Sequence, residues 1–100
     1  MQLPTTIKVG KTVYRIEQPE AMRAQCSRGH IDYAKGVIRV AYGNKVTLQK
    51  YTPKQRREVF WHELTHAILD AMNDSLTYDE RFVSVFAKNL SDAIDSAKFD

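Results

Sequence analysis

His62 and His66 stand four residues apart in the stretch Trp61-His62-Glu63-Leu64-Thr65-His66-Ala67. On a helix that spacing sets the two imidazoles one above the other on one face. Both can then reach a single ion at about 2.0–2.1 Å, the ordinary zinc–nitrogen distance. Glu63 falls next to the first histidine, where its carboxylate can face a water at the ion instead of binding the ion itself. The pattern is H-E-x-x-H, the metalloprotease signature. In a chain this short an accidental match is expected on the order of a few times per thousand.

Two histidines leave such a site incomplete, because catalytic zinc ordinarily takes three protein ligands and a water. The lone cysteine, Cys26, belongs to no thiolate pattern and reads as a small, half-buried strand or loop residue. His30, between Gly29 and Ile31, reads most simply as an ordinary strand histidine. Glu80 stands fourteen residues after His66, with Asp79 beside it as the alternative ligand. Thr77 and Glu80 also have the spacing of a capping box, in which Glu80 would bond the backbone of Thr77. Spacing alone leaves these readings open.

The elements that must position these groups fall into two halves. Thr6–Val9 and Thr12–Ile16 flank Gly10-Lys11, which suits a strand, a tight turn and a second strand. Pro19 interrupts, and Glu20 to Gln25 suggests one or two helical turns. Ser27 to Tyr33 reads as a strand, followed by a turn at Ala34-Lys35-Gly36. Val37 to Tyr42, β-branched and aromatic, is the strongest strand in the chain. These patterns predict a small antiparallel sheet of three or four strands.

Thr52-Pro53-Lys54-Gln55 then signals a helix start, with Thr52 as cap, Pro53 in the first turn and Gln55 completing a capping box. The helix is expected from Pro53 to about Met72, with Phe60, Leu64, Ala67, Ile68 and Ala71 as its apolar stripe. His62 and His66 lie on an adjoining face with Val59 and Leu69. Asn73 can end the helix in the left-handed conformation. After a short loop, a second helix is expected from near Asp79 to Ala97, with Phe82, Val83, Phe86, Leu90, Ala93, Ile94 and Ala97 at helical spacing. Its first turn carries Glu80 back toward the first helix.

One hundred residues, 43% hydrophobic and 27% charged, predict a single globular domain over residues 1–100 with a modest core. The apolar runs are too short to span a bilayer. Met1 to Gly10 lacks a signal-peptide pattern, and a single cysteine fits a reducing cytoplasm. The net charge of +3 divides unevenly. Residues 1–50 carry nine Lys/Arg against three Asp/Glu, and residues 51–100 carry six against nine. The basic residues are scattered and not interleaved with stacking aromatics, so a solvated surface is favoured over nucleic-acid binding.

The chain resembles the ImmA/IrrE-like metallopeptidases, a gluzincin group common in phages and mobile elements. That family pairs an H-E-x-x-H helix with a later helix of the form E-x-x-A-N-x-F-A. Here Glu80-Arg81-Phe82-Val83-Ser84-Val85-Phe86-Ala87 keeps the glutamate, phenylalanine and alanine in register, with Val83 and Ser84 replacing the alanine and asparagine. Thr65 stands where the family usually has glycine. The likeness covers roughly residues 28–95, and a SprT-like protease is a more distant match. The resemblance implies zinc on His62, His66 and Glu80, with Glu63 as general base. The family's asparagine position, here Ser84, could hold the second nitrogen of a ligand histidine, with Asp70 as a rival. Tyr42, Tyr51 and Tyr78 carry hydroxyls suited to a developing oxyanion.

These readings converge on an α+β, minimal zincin-like fold: a small antiparallel sheet packed on the H-E-x-x-H helix, with a second helix supplying Glu80. The expected activity is zinc-dependent hydrolysis of a peptide or protein substrate, possible substrates including a repressor or other regulatory protein. The resemblance makes the Val37–Tyr42 strand the platform for a substrate strand. The alternative is a zinc-stabilised binding or regulatory module that does not cleave.

Overall fold

A computed structural model describes residues 2–19, 23–24, 28–44 and 46–99, with residues 23–24 described by backbone alone. Cys26 lies outside the described residues. Strands β1 (Thr6–Val9) and β2 (Thr12–Glu17) form the expected hairpin. Gly10, at φ +59°, takes the first turn position, where a left-handed backbone suits the strand twist. β3 is the short Arg23–Ala24 strand, where helical turns were expected; the flanking residues 20–22 and 25 lie outside the described residues. β4 (Gly29–Asp32) and β5 (Val37–Val40) form a second hairpin, and β6 (Gly43–Asn44) pairs with β3.

The main sheet has the order β1-β2-β5-β4 and is mixed, correcting the expected antiparallel sheet. Both hairpins are antiparallel, but β2 and β5 run parallel. The difference lies in the strand order: β5, not β4, joins β2. β5 is therefore internal and β4 is an edge, which moves the natural platform for an added strand from Val37–Tyr42 to β4.

Alternation gives the sheet one apolar face. Pairing aligns Ile16, Ile38 and Ile31 across three strands, places Tyr14 beside Ile7 and sets Gly29 beside Val40. Helix α1 (Pro53–Ala71) lies on this face and buries Phe60, Leu64 and Ala67 among Tyr14, Ile38 and Val40. The predicted capping box is present: Gln55 N–H donates to Thr52 Oγ1, and Thr52 N–H donates to Gln55 Oε1. Ile68, 41% exposed, and Ala71, also exposed, fall outside the core.

The C-terminus of α1 closes with a Schellman motif. Asn73 sits at φ 56°, its N–H donates to the Asp70 carbonyl, and Asp74 N–H donates to that of Leu69. A single 3-10 turn, Ser75–Tyr78, leads into helix α2 (Glu80–Ser96). Contacts of Arg57 with Asp95 and Lys54 with Asp92 at one end, and of His62 and His66 with Glu80 at the other, show the two helices running antiparallel. α2 buries Val83, Ala87 and Ser91, whereas Phe86 is 47% exposed and stacks on Phe82 at 5.8 Å. The expected Phe-rich stripe is thus rotated outward. Small side chains let two helices approach closely, and a stripe of phenylalanines would hold them apart. No helix among the described residues is long and apolar enough to cross a membrane.

Candidate metal centre

The H-E-x-x-H stretch occupies the middle of α1 beside β4, and the close approach depends on Gly29. A Cβ at that position would lie 2.6 Å from Val59 Cγ1 and 3.0 Å from Glu63 Cγ. Any larger residue would push the edge strand off the helix, and the Glu63 carboxylate with it. A glycine inside a strand signals close backbone approach, so this contact had a visible sequence cue.

His62 and His66 stack edge to face, with ring centroids 5.1 Å apart. Glu80 meets both: Oε2 lies 3.1 Å from His62 Nε2, and Oε1 lies 2.8 Å from His66 Nε2. Among the described residues these three form the cluster suited to a metal, with ligand atoms all within 4.8 Å of one another. Tetrahedral bonds of 2.0–2.1 Å place ligand atoms about 3.3 Å apart, so a slight opening of the cluster would admit a zinc-sized ion. Two imidazoles and one carboxylate are also the donor set of a well-known class of catalytic zinc sites. The residues fit such an ion.

The competing role for Glu80 belongs to its neighbour. Asp79 is the N-cap of α2, its Oδ1 accepting from Phe82 N–H at 3.0 Å, which leaves Glu80 turned to the histidines. His30 is exposed on β4 and lies outside the cluster.

Burial pushes His62 below its ordinary 6.5, against the pull of Glu80. Its ring is therefore neutral at neutral pH and offers a lone pair. His66 Nδ1 lies 3.1 Å from Thr77 Oγ1. With the proton on Nδ1, His66 donates to Thr77 and its Nε2 is open to a cation. Thr77 therefore takes the orienting role expected of Ser84 or Asp70, neither of which bonds a histidine among the described contacts. Its hydroxyl also bonds the phenol of Tyr33. The position of Thr77 three residues before Glu80 had suggested a cap, and nothing in the sequence linked Tyr33 to the site.

Glu63 makes no hydrogen bond or ion pair with either histidine among the described contacts. It is 8% exposed, and burial, followed by the Glu80 charge, raises its pKa to about 7. Two cavities of about 470 and 380 Å³ meet at Gly29, His62, Glu63 and Glu80, forming one two-lobed trough. Tyr33 and Tyr78 line it. Tyr42 and Tyr51 do not, and their rings instead lie beneath Lys50, Arg56 and Arg28. No family model, curated protein or solved structure matches the chain.

Proposed function

We propose that this protein is a zinc-dependent peptidase of the gluzincin kind, related in design to the ImmA/IrrE-like enzymes. The observation that carries the reading is the position of Glu63: a buried carboxylate beside the His62–His66–Glu80 cluster, outside it, and open to the trough. A structural metal site has no need of such a group, whereas hydrolysis needs a base.

His62, His66 and Glu80 would hold the ion, with Thr77 fixing the His66 ring. Bound there, the ion would acidify a water and polarise the scissile carbonyl. Glu63 would accept the proton of that water and return it to the leaving amine. Without the ion, burial raises the Glu63 pKa to about 7, and a cation beside it would favour the carboxylate, the form that accepts a proton. The outer edge of β4 runs along the trough and can take an extended peptide as an added strand. Tyr33 keeps its proton at neutral pH, because burial and the nearby Asp70 and Glu63 charges raise its pKa despite the Thr77 bond. Its hydroxyl can therefore donate to charge developing on the substrate carbonyl.

The test is Glu63→Gln in zinc-loaded protein, assayed on an unbiased peptide library. Zinc content should be retained, while cleavage should fall by about two to four powers of ten, the range for losing a general base. Equal cleavage by both proteins would sink the mechanism. Absence of cleavage by the zinc-loaded wild type would favour a binding module that uses the ion for folding.

A further inference from the structure

The two lobes of the trough differ in charge. Leaving aside the shared central groups, the larger lobe is lined by Arg28, Lys88 and Glu58, over a floor of Val59 and Ala87. The smaller lobe contains Asp70 with the phenols of Tyr33 and Tyr78 and the imidazole of His30. Counting Lys, Arg, Asp and Glu alone, the larger lobe therefore carries an excess of one positive charge and the smaller lobe one negative charge. Arg28 lies over the Tyr51 ring and Lys88 bonds Asp92 at 3.3 Å, so both cations are held at the rim by their own neighbours. Both residues are exposed and remain within reach of a ligand.

Strand β4 gives this difference a direction. Arg28 and Gly29 border the larger lobe, whereas Gly29, His30 and Ile31 border the smaller one, so the strand runs from the basic lobe to the acidic lobe. Its inner edge is taken by β5 through antiparallel pairing. A peptide adding antiparallel to the outer edge, the more stable arrangement, would run the opposite way. Its N-terminal part would lie beside Asp70, and its C-terminal part beside Arg28 and Lys88.

We infer that the trough selects extended peptides by charge order, taking a carboxylate on the C-terminal side of the central position and a basic side chain on the N-terminal side. The carboxylate can come from an aspartate or glutamate side chain or from the chain terminus. This inference rests on reading the trough as a peptide cleft, and it names the substrate class that cleft would prefer. Charge complementarity of this kind sets register and orientation more than overall affinity.

The experiment uses the full-length, zinc-loaded Glu63→Gln protein and two peptides of identical composition. One has lysines N-terminal and glutamates C-terminal to a neutral centre, and the other has the reverse order. Each is made with a free and an amidated C-terminus, and binding is read by fluorescence anisotropy. The lysine-first peptide should bind about tenfold more tightly at low salt, with the difference shrinking as salt screens it. Adding Arg28→Glu or Lys88→Glu to this protein should bring the two peptides toward parity, with the circular dichroism spectrum unchanged. A preference lost on amidation would assign the carboxylate to the chain terminus, and one retained would assign it to a side chain. Equal binding, tighter binding of the reverse peptide, or no binding of either would overturn the inference. Cleavage separates the two claims. Wild type that cuts both peptides equally leaves the peptidase reading standing and removes charge selection. Selective binding without cleavage by wild type does the reverse.

Discussion

On the sheet-facing side of α1, Phe60, Leu64 and Ala67 are buried among Tyr14, Ile38 and Val40, apolar against apolar. A short way around the same helix, Glu63 is 8% exposed, almost as deep as Leu64 at 5%. The first face follows the ordinary logic of burial, in which each methylene removed from water stabilises the fold by about 0.8 kcal/mol. The second buries a carboxylate whose charged form is disfavoured there, as its raised pKa records. One helix thus carries a stabilising face and a costly one side by side. The costly face is the one to which the proposed chemistry is assigned, and Gly29 keeps it pressed against the edge strand.

The widest separation of the two faces should come from the core. Phe60→Ala removes a side chain that is 1% exposed and should cost about 3–5 kcal/mol, measured by urea unfolding. A loss under about 1 kcal/mol would mean that the sheet face is not the main source of stability.

The site face should become stabilising only when a cation joins its two helices. Zinc at a hundred times its dissociation constant should add about 2.7 kcal/mol, seen as a rise in melting temperature that a chelator reverses. Glu80→Gln should abolish most of that rise, and Thr77→Val should weaken zinc binding by about ten- to a hundredfold. Asp79→Asn should leave zinc binding nearly unchanged, because Asp79 caps the helix. A zinc titration in which Asp79→Asn is the more damaging change would reassign the ligand.

The third comparison isolates the cost of Glu63 in metal-free protein. Its pKa rises from an ordinary 4.5 to about 7 on folding, so the folded state holds the proton that the unfolded state releases first. The stability linked to that proton is complete below about pH 4.5, declines as pH rises, and is gone above about pH 7. Glu63→Gln should therefore stabilise the metal-free protein by about 1–3 kcal/mol at pH 8 and have little effect at pH 4. Equal effects at both pH values would show that charge burial is not the cause. With zinc bound, the gain at pH 8 should shrink, because a nearby cation favours the carboxylate.

The smallest effect lies between the helices. Ser91 is fully buried, and its hydroxyl has no partner among the described residues. Ser91→Ala keeps the close packing and removes the unpaired group, so it should be neutral or stabilising by up to about 1 kcal/mol in thermal unfolding. A clear destabilisation would reveal a bond that Ser91 makes in solution.

Much of this architecture is written locally. The Gly10 hairpin, the Thr52 capping box and the Asn73 helix end each depend on a few adjacent residues, and each forms where those residues predict. The cluster of His62, His66 and Glu80 is legible for a related reason, since helical spacing aligns the histidines and one short link returns Glu80 to them. What escaped depends on partners distant in sequence. Whether β2 meets β4 or β5 is not encoded by adjacent residues, and that choice makes the sheet mixed. The side of α2 that turns inward is decided by how closely α1 can approach, and that favours Ala87 and Ser91 over Phe86. Tyr33 reaches the site only because the β4–β5 hairpin ends beside the 3-10 turn, a contact that no local pattern encodes.

The tight connection between α1 and α2 bears also on how the site assembles. All three candidate ligands fall within residues 62–80, and the Schellman turn and 3-10 turn leave little slack between them. Closing so short a loop carries a small entropic cost, and helical hairpins built on local contacts form quickly. The parallel β2–β5 pairing joins residues 22 apart, such as Arg15 with Val37, and parallel strand pairing is intrinsically slow to form. A cation could therefore meet its ligands while the sheet is still forming, acting as an early staple on the folding pathway as well as a tool of the finished molecule.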